Sequence, residues 1–234
     1  MIKLLKPLAI LSIVGFPAAV AAYRFDLIDF ATSFNIIKGA FLLAVAVFFI
    51  GMVLSFIKRA DGAKAKASLG AATLALVTVV GLGTQIFTAR SVPYIHNVST
   101  DVANPPVFDK VVDLRSSDHN SLEYSIEDLA AVQTKAYPKV KTLMSNLSLV
   151  DAHAKAKGVV EALGWELVNS DASTGIIEAT ETTLLWGFKD DVVIRLTEID
   201  GKTAVDLRSV SRIGGSDLGA NAKRIEKFLT AFSN

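Results

Sequence analysis

Asp191-Val-Val-Ile-Arg-Leu-Thr-Glu-Ile-Asp-Gly-Lys-Thr-Ala-Val-Asp-Leu-Arg-Ser-Val210 reads as two alternating strands around an Asp-Gly turn. Asp-Gly between alternating runs predicts a two-residue hairpin, because both loop residues must adopt positive φ. With Asp200 and Gly201 in the loop, Ile199 faces Lys202, Leu196 faces Val205 and Ile194 faces Leu207. The last two pairs make an apolar face. Arg195 faces Asp206 on the other side, with Arg208 diagonal to both. Such an opposed pair contributes about 0.2–1 kcal/mol. Arg195 and Asp206 are therefore expected to form a structural ion pair.

The flanking sequence extends this unit. Residues 152–163 are alanine-rich with helical character and stop at Gly164. A strand begins at Trp165, Asp171-Ala-Ser-Thr-Gly175 turns the chain, and residues 176–183 return as a β-branched strand. After Gly214-Gly215, Ser216 or Asp217 is the expected N-cap of a final helix. Its buried stripe is Leu218, Ala222, Ile225, Leu229 and Phe232. The order is helix, four antiparallel strands, helix: an α+β core over residues 149–234, with helices covering one sheet face. Residues 90–148 contain Pro93, Pro105, Pro106 and the polar run Arg115-Ser-Ser-Asp-His-Asn-Ser121. They are expected to form an irregular lead-in.

Upstream the composition changes. Mean hydropathy of the whole chain is +0.44, and the apolar excess lies in residues 1–89, which hold 8 Lys+Arg against 3 Asp+Glu. Residues 39–57 and 69–89 are uncharged and long enough to cross a bilayer. The second has Gly70, Gly81 and Gly83, small residues expected to pack against a neighbouring helix. Residues 4–23 fit either a first span or a secretory signal sequence, with Lys3 and Lys6 ahead of the apolar run and Ala19-Val-Ala21 as a small-residue cleavage motif. The retained span is preferred because the following segments continue as a membrane bundle. Tyr23 to Phe34 reads as an interfacial connector.

The loop 58–66 carries four cations and one acid; the loop 24–38 carries two of each. Positive charge stays on the cytoplasmic side, which directs the third span outward. The chain is thus expected to be a multi-pass inner-membrane protein in contact with the lipid bilayer. Its C-terminal domain is extracytoplasmic, and periplasmic in a Gram-negative bacterium. Homo-oligomerisation through the membrane helices is open to such a protein. The absence of cysteine excludes disulfides, thiol nucleophiles and cysteine metal sites.

Three blocks carry a resemblance: Gly187-Phe-Lys-Asp-Asp-Val-Val-Ile-Arg195, Val205-Asp-Leu-Arg-Ser-Val-Ser-Arg212 and Gly215-Ser-Asp-Leu-Gly-Ala-Asn-Ala-Lys-Arg-Ile225. With Leu163-Gly-Trp165 and Ile177-Glu-Ala179, they resemble the signature of the domain of unknown function 1499 family over about residues 92–232. The resemblance implies a domain identity and no established activity; family members often carry short membrane segments ahead of the domain.

The leading candidate site is anionic-ligand binding by Arg208, Ser211, Arg212, Asn221 and Arg224. A glycine-preceded helix start offers amides and a favourable dipole, and arginine forks give bidentate contacts. The competing reading is an internal network in which Asp190, Asp191, Asp206 and Asp217 neutralise the arginines, with Arg195, Asp206, Asp191 and Asp217 as structural ion-pair members. Asp190 and Asp191 are adjacent on a strand and point to opposite faces, so they do not share a proton or an ion. His96, His119 and His153 lack metal-ligand spacing. No cofactor and no metal are expected. Nucleic acid is disfavoured by location and by the net charge of −4 (16 cations against 20 acids) of residues 90–234. Three functions fit: an envelope-binding domain without catalysis, taking a lipid headgroup, a cell-wall fragment or a membrane-protein partner; an envelope hydrolase or transferase using Asp191 or Asp217; or a structural subunit of a membrane assembly.

Overall fold

The computed structural model describes all 234 residues, which divide into two compact units, residues 1–91 and 92–234. The first contains α1 (Ile2–Arg24), α2 (Phe30–Ile57) and α3 (Gly62–Ser91). All three are long and apolar enough to cross a membrane. α2 starts earlier than hydropathy suggests, because Asp29 caps it by accepting from the Thr32 amide at 2.7 Å. Phe30 and Phe34 therefore belong to α2, and the expected connector shrinks to residues 25–29. Ser33 of α2 donates to the Ala19 carbonyl of α1 at 2.9 Å, and α1 buries Leu5, Ala9, Ser12, Ala19 and Val20.

The small residues that bring the helices together are not the glycines expected from the third span. A Cβ on Gly70, Gly81 or Gly83 would meet nothing within 4 Å. α3 instead buries Ser68, Ala71, Ala72, Ala75 and Thr78. The close approach is at Gly51 of α2, where a Cβ would lie 2.8 Å from the Ser68 carbonyl oxygen and 3.0 Å from the Ala72 Cβ. Alanine and serine suffice on one helix when glycine opens the other.

The second unit is a six-stranded antiparallel sheet: β1 (Asn97–Ser99), β2 (Leu143–Ser145), β3 (Glu166–Asp171), β4 (Ile176–Thr182), β5 (Lys189–Ile199) and β6 (Lys202–Ser211). The order is β1-β6-β5-β4-β3, with β2 also pairing along β6. The hairpin register follows from the Asp-Gly turn: Ile199↔Lys202, Leu196↔Val205, Arg195↔Asp206, Ile194↔Leu207. Helix α5 (Leu149–Ala162), capped by Ser148, and helix α6 (Ala220–Ser233) cover one face. Ile177, Ala179, Ile194, Leu196, Val205 and Leu207 meet Ala152, Val160, Ile225 and Phe228 there.

Two differences from the sequence reading matter. The sheet has six strands, not four, because the lead-in contributes β1 and β2. The lead-in also carries a 3-10 helix (Lys110–Leu114) and helix α4 (Ile126–Ala136). The second sheet face is covered rather than left open: Phe108 and Val111 pack on Val193 and Val210 in a separate core cluster. The edge of β1 is closed by a side chain. Buried Gln133 of α4 accepts from the Ser99 amide at 2.8 Å and donates to the Ser99 carbonyl at 2.6 Å, replacing a neighbouring strand.

Candidate functional site

Strand alternation decides what the candidate residues do together. On β6, Ser209 and Ser211 lie on the helix-covered face with Leu207, whereas Arg208 and the following Arg212 lie on the face covered by the lead-in. Ser211, Asn221 and Arg224 are therefore on one side of the sheet, and Arg208 and Arg212 are on the other. The expected five-residue site is two networks separated by the sheet.

On the lead-in face, Arg212 grips Asp191 bidentately, Nε to Oδ2 at 2.9 Å and Nη2 to Oδ1 at 2.8 Å. Arg115 donates to the same Oδ2 at 2.8 Å, and the Thr180 hydroxyl donates to Oδ1 at 2.7 Å. One fully buried carboxylate thus neutralises two arginines. Burial pushes the Asp191 carboxyl upward, but hydrogen bonds from Arg212 and Thr180 and the charges of Arg115 and Arg212 outweigh it and hold the group below its ordinary range. The remaining guanidinium donors go to main-chain carbonyls: Arg115 to Asn120 and Val210, Arg212 to Leu114.

Arg208 meets no carboxylate. It donates to Asn97 Oδ1 at 3.0 Å, to the Pro106 carbonyl at 3.1 Å and to the Leu122 carbonyl, between the rings of Phe108 and Tyr124 at 5.5 and 5.6 Å. Burial lowers it to about 10, which leaves it cationic at neutral pH, and burial pushes the Tyr124 phenol up to about 12. Glu178 is its converse, a fully buried acid with no cation beside it. Its carboxylate accepts from the amides of Asp109, Lys110 and Val111 at 2.8, 2.8 and 3.3 Å, at the start of the 3-10 helix. Further along, Arg195 Nη2 reaches Asp206 at 3.0 Å and Asp101 at 2.9 Å.

On the helix face, Arg224 donates Nη2 to Asp190 at 2.5 Å, Nε to Glu181, and Nη1 to Ser209 and Asn221. Asn221 in turn accepts from Ser209 at 2.7 Å and donates to Ser211 at 3.0 Å and to the His96 carbonyl at 2.9 Å. Asp217 pairs with no arginine, contrary to expectation. Its carboxylate accepts from the amides of Gly219 and Asn221 at 2.8 and 2.9 Å. Burial raises its pKa, against the lowering effect of those amides. The N-cap residue of α6 is Gly219 (φ +80°) rather than Ser216 or Asp217, but the Asp217 side chain still occupies helix-start donors. Those are the amides a bound anion would need.

Arg115, Glu178, Glu181 and Asn97 complete these networks, and none was singled out as a site residue by sequence reasoning. The isolated acid of Ile177-Glu-Ala179 was the available signal for Glu178. Nothing in the polar run 115–121 distinguishes Arg115. The three histidines stay apart: His153 is buried near the Ser170 hydroxyl at 3.4 Å, and His119 accepts from the Ser116 amide at 3.2 Å. No group of three His, Asp or Glu is placed to hold a metal ion.

The side chains of these networks all fall within one family match. A family model described as "Protein of unknown function (DUF1499)" matches residues 97–232, more than half of the chain. The chain belongs to this family. No curated protein matches it. In this DUF1499 domain Asp191 and Arg212 pair on the lead-in face of the sheet, while Asp190, Asn221 and Arg224 join on the helix face. The start of the match at Asn97 is also the start of β1, the first strand of the sheet.

Proposed function

We propose that the protein is a non-catalytic, membrane-anchored interaction unit, a structural subunit of an envelope assembly whose DUF1499 domain is held together by the arginine tract. The observation that carries this reading is the closure of the network: Arg208, Arg212 and Arg224 are 4, 7 and 5% exposed, and each spends its donors on internal acceptors. A phosphate or carboxylate ligand would have to displace Asp191 or Asp190 from a bidentate or charge-assisted contact, leaving a buried acid unpaired. Asp191, clamped by four donors and held in its ionised form, is poorly suited to acid–base exchange.

Topology is part of the proposal. With three spans, the cationic loop 58–66 and the N-terminal Lys3 and Lys6 share one side, and the positive-inside rule makes that side cytoplasmic. The DUF1499 domain then projects outside the cytoplasm, into the periplasm where the membrane is a bacterial inner membrane.

The test is Arg212→Ala in the full chain reconstituted in nanodiscs. A structural tract predicts a fall in melting temperature of several degrees with no selective change in retention on anionic phospholipid or muropeptide supports. An unchanged melting temperature with lost retention on either support would overturn it in favour of an anion site.

A further inference from the structure

Turns normally take Gly, Asn, Asp and Ser, and two of this sheet's turns do: Asp171-Ala-Ser-Thr-Gly175 between β3 and β4, and Asp200-Gly201 between β5 and β6. Both lie at one end of the sheet. The β4–β5 turn at the other end is Thr183-Leu-Leu-Trp-Gly-Phe188, with Leu184 92% and Leu185 55% exposed. It is a formed loop. The Thr183 amide donates to the Phe188 carbonyl at 2.8 Å, the Phe188 amide to the Thr183 hydroxyl at 2.9 Å and the Gly187 amide to the Thr183 carbonyl at 2.9 Å. The Trp186 and Phe188 rings stack at 5.2 Å. Residues 182–189 carry one charge, the exposed Lys189, and no acid.

Register identifies which end this is. Asp190 pairs with Ser211, and Asn97 with Val210. The Ser211 amide donates to the His96 carbonyl, and the Arg212 amide to the Lys189 carbonyl. The apolar tip therefore projects from the end at which the chain enters the domain at residues 92–96. Tyr94, 81% exposed, and Leu218, 40% exposed, lie at the same end, because the Asp217 amide bonds the Ile95 carbonyl. α3 ends at Ser91, and the five residues before β1 span at most about 18 Å of extended chain.

We propose that Leu184, Leu185 and Trp186 dip into the interface of the bilayer that the chain's own helices span, making the β4–β5 tip a lipid-contacting foot for the domain. The composition suits that occupant: leucines for the acyl boundary, Trp and Tyr for the headgroup level, and in Lys189 a cation for anionic lipid. The closed turn presents these side chains in a fixed arrangement, so little ordering is lost on insertion. This inference rests on α1–α3 being membrane spans.

The chain lacks cysteine, so one spin label can be placed at Leu184→Cys in the full-length protein. The label is read in vesicles of three parts phosphatidylethanolamine to one part phosphatidylglycerol, by collision with oxygen and with a water-soluble nickel chelate. Leu185→Cys repeats the measurement at a second tip position. Lys202→Cys at the polar end and Val77→Cys on the exposed side of α3 are the references. The tip labels are expected to favour oxygen over nickel several-fold, as at Val77, while Lys202 shows the reverse. Tip labels that read water while Val77 reads lipid would overturn the foot and leave the three-span reading standing. Val77 reading water would overturn that reading itself. Tip labels shielded from both reagents would mean that protein, a second copy or a partner, covers the tip, and would equally overturn lipid contact.

Discussion

Asp191 is the single counter-ion of two arginines from distant parts of the chain: Arg212, which follows β6, and Arg115, in the lead-in. All three side chains are buried, at 8% exposure or less. Asp191→Asn leaves two buried guanidiniums without a countercharge and is expected to cost about 3–5 kcal/mol, the range for breaking a buried pair. Arg212→Met, which leaves Asp191 paired with Arg115, is expected to cost less. Urea unfolding of the full chain in detergent, followed by the combined fluorescence of Trp165 and Trp186, ranks the two. The opposite order would mean that Asp191 is not shared.

Glu178→Gln removes the charge that holds the Asp109, Lys110 and Val111 amides. A loss of about 1–3 kcal/mol is expected, since hydrogen bonds to a charged acceptor are the stronger class. Hydrogen exchange locates the effect: residues 109–111 should lose protection while β5 and β6 keep theirs. Uniform loss across the sheet would assign Glu178 to the core instead.

Helix packing gives a paired test. Gly51→Ala pushes a methyl against the Ser68 carbonyl and the Ala72 side chain, whereas Gly81→Ala meets open space. The first is expected to cost about 1–3 kcal/mol and the second nothing, read as thermal aggregation of the detergent-solubilised protein. Equal effects would contradict the α2–α3 contact.

Buried His153 sets an acid limb in the stability profile. Burial, then the charge of Lys157, lowers its pKa below the ordinary 6.5. The folded state therefore binds fewer protons than the unfolded one in that window, and stability declines as pH falls below about 6.5. His119, also lowered by burial, acts with the same sign. His153→Gln should flatten part of the decline in melting temperature between pH 7 and pH 5. An unchanged slope would remove His153 as its source.

The hairpin was legible because its register depends on local information, an Asp-Gly turn and a period of two. Helix α5 was legible through its alanine run and the Gly164 stop, and α6 through the helical spacing of Ala222, Ile225 and Phe232. Their caps were not: Ser148 caps α5, Gly219 caps α6, and Leu218 of the expected stripe precedes the helix and is exposed. The lead-in was not. Its order comes from partners far along the chain, with Glu178 holding its amides and Arg208 and Arg212 holding its carbonyls, and no local periodicity records that. The arginine tract was half legible: its charge was evident, but the sheet that divides it into two networks appears only once the strand faces are assigned. Asp217 looked like an ion-pair member because it is an acid near arginines, whereas its position two residues before Gly219 directs it to main-chain amides.

The grip of Glu178, Arg208 and Arg212 on the lead-in backbone also fixes an order of events during synthesis. The amide of Asp109 waits for an acceptor 69 residues later, and the Pro106 carbonyl for a donor 102 residues later. The stretch that leaves the ribosome first in this domain is thus among the last to close, staying open until β6 has emerged and paired. A truncation before Arg208 would therefore expose Phe108 and Val111 rather than merely shorten the domain, giving quality-control proteases an extended stretch to cleave.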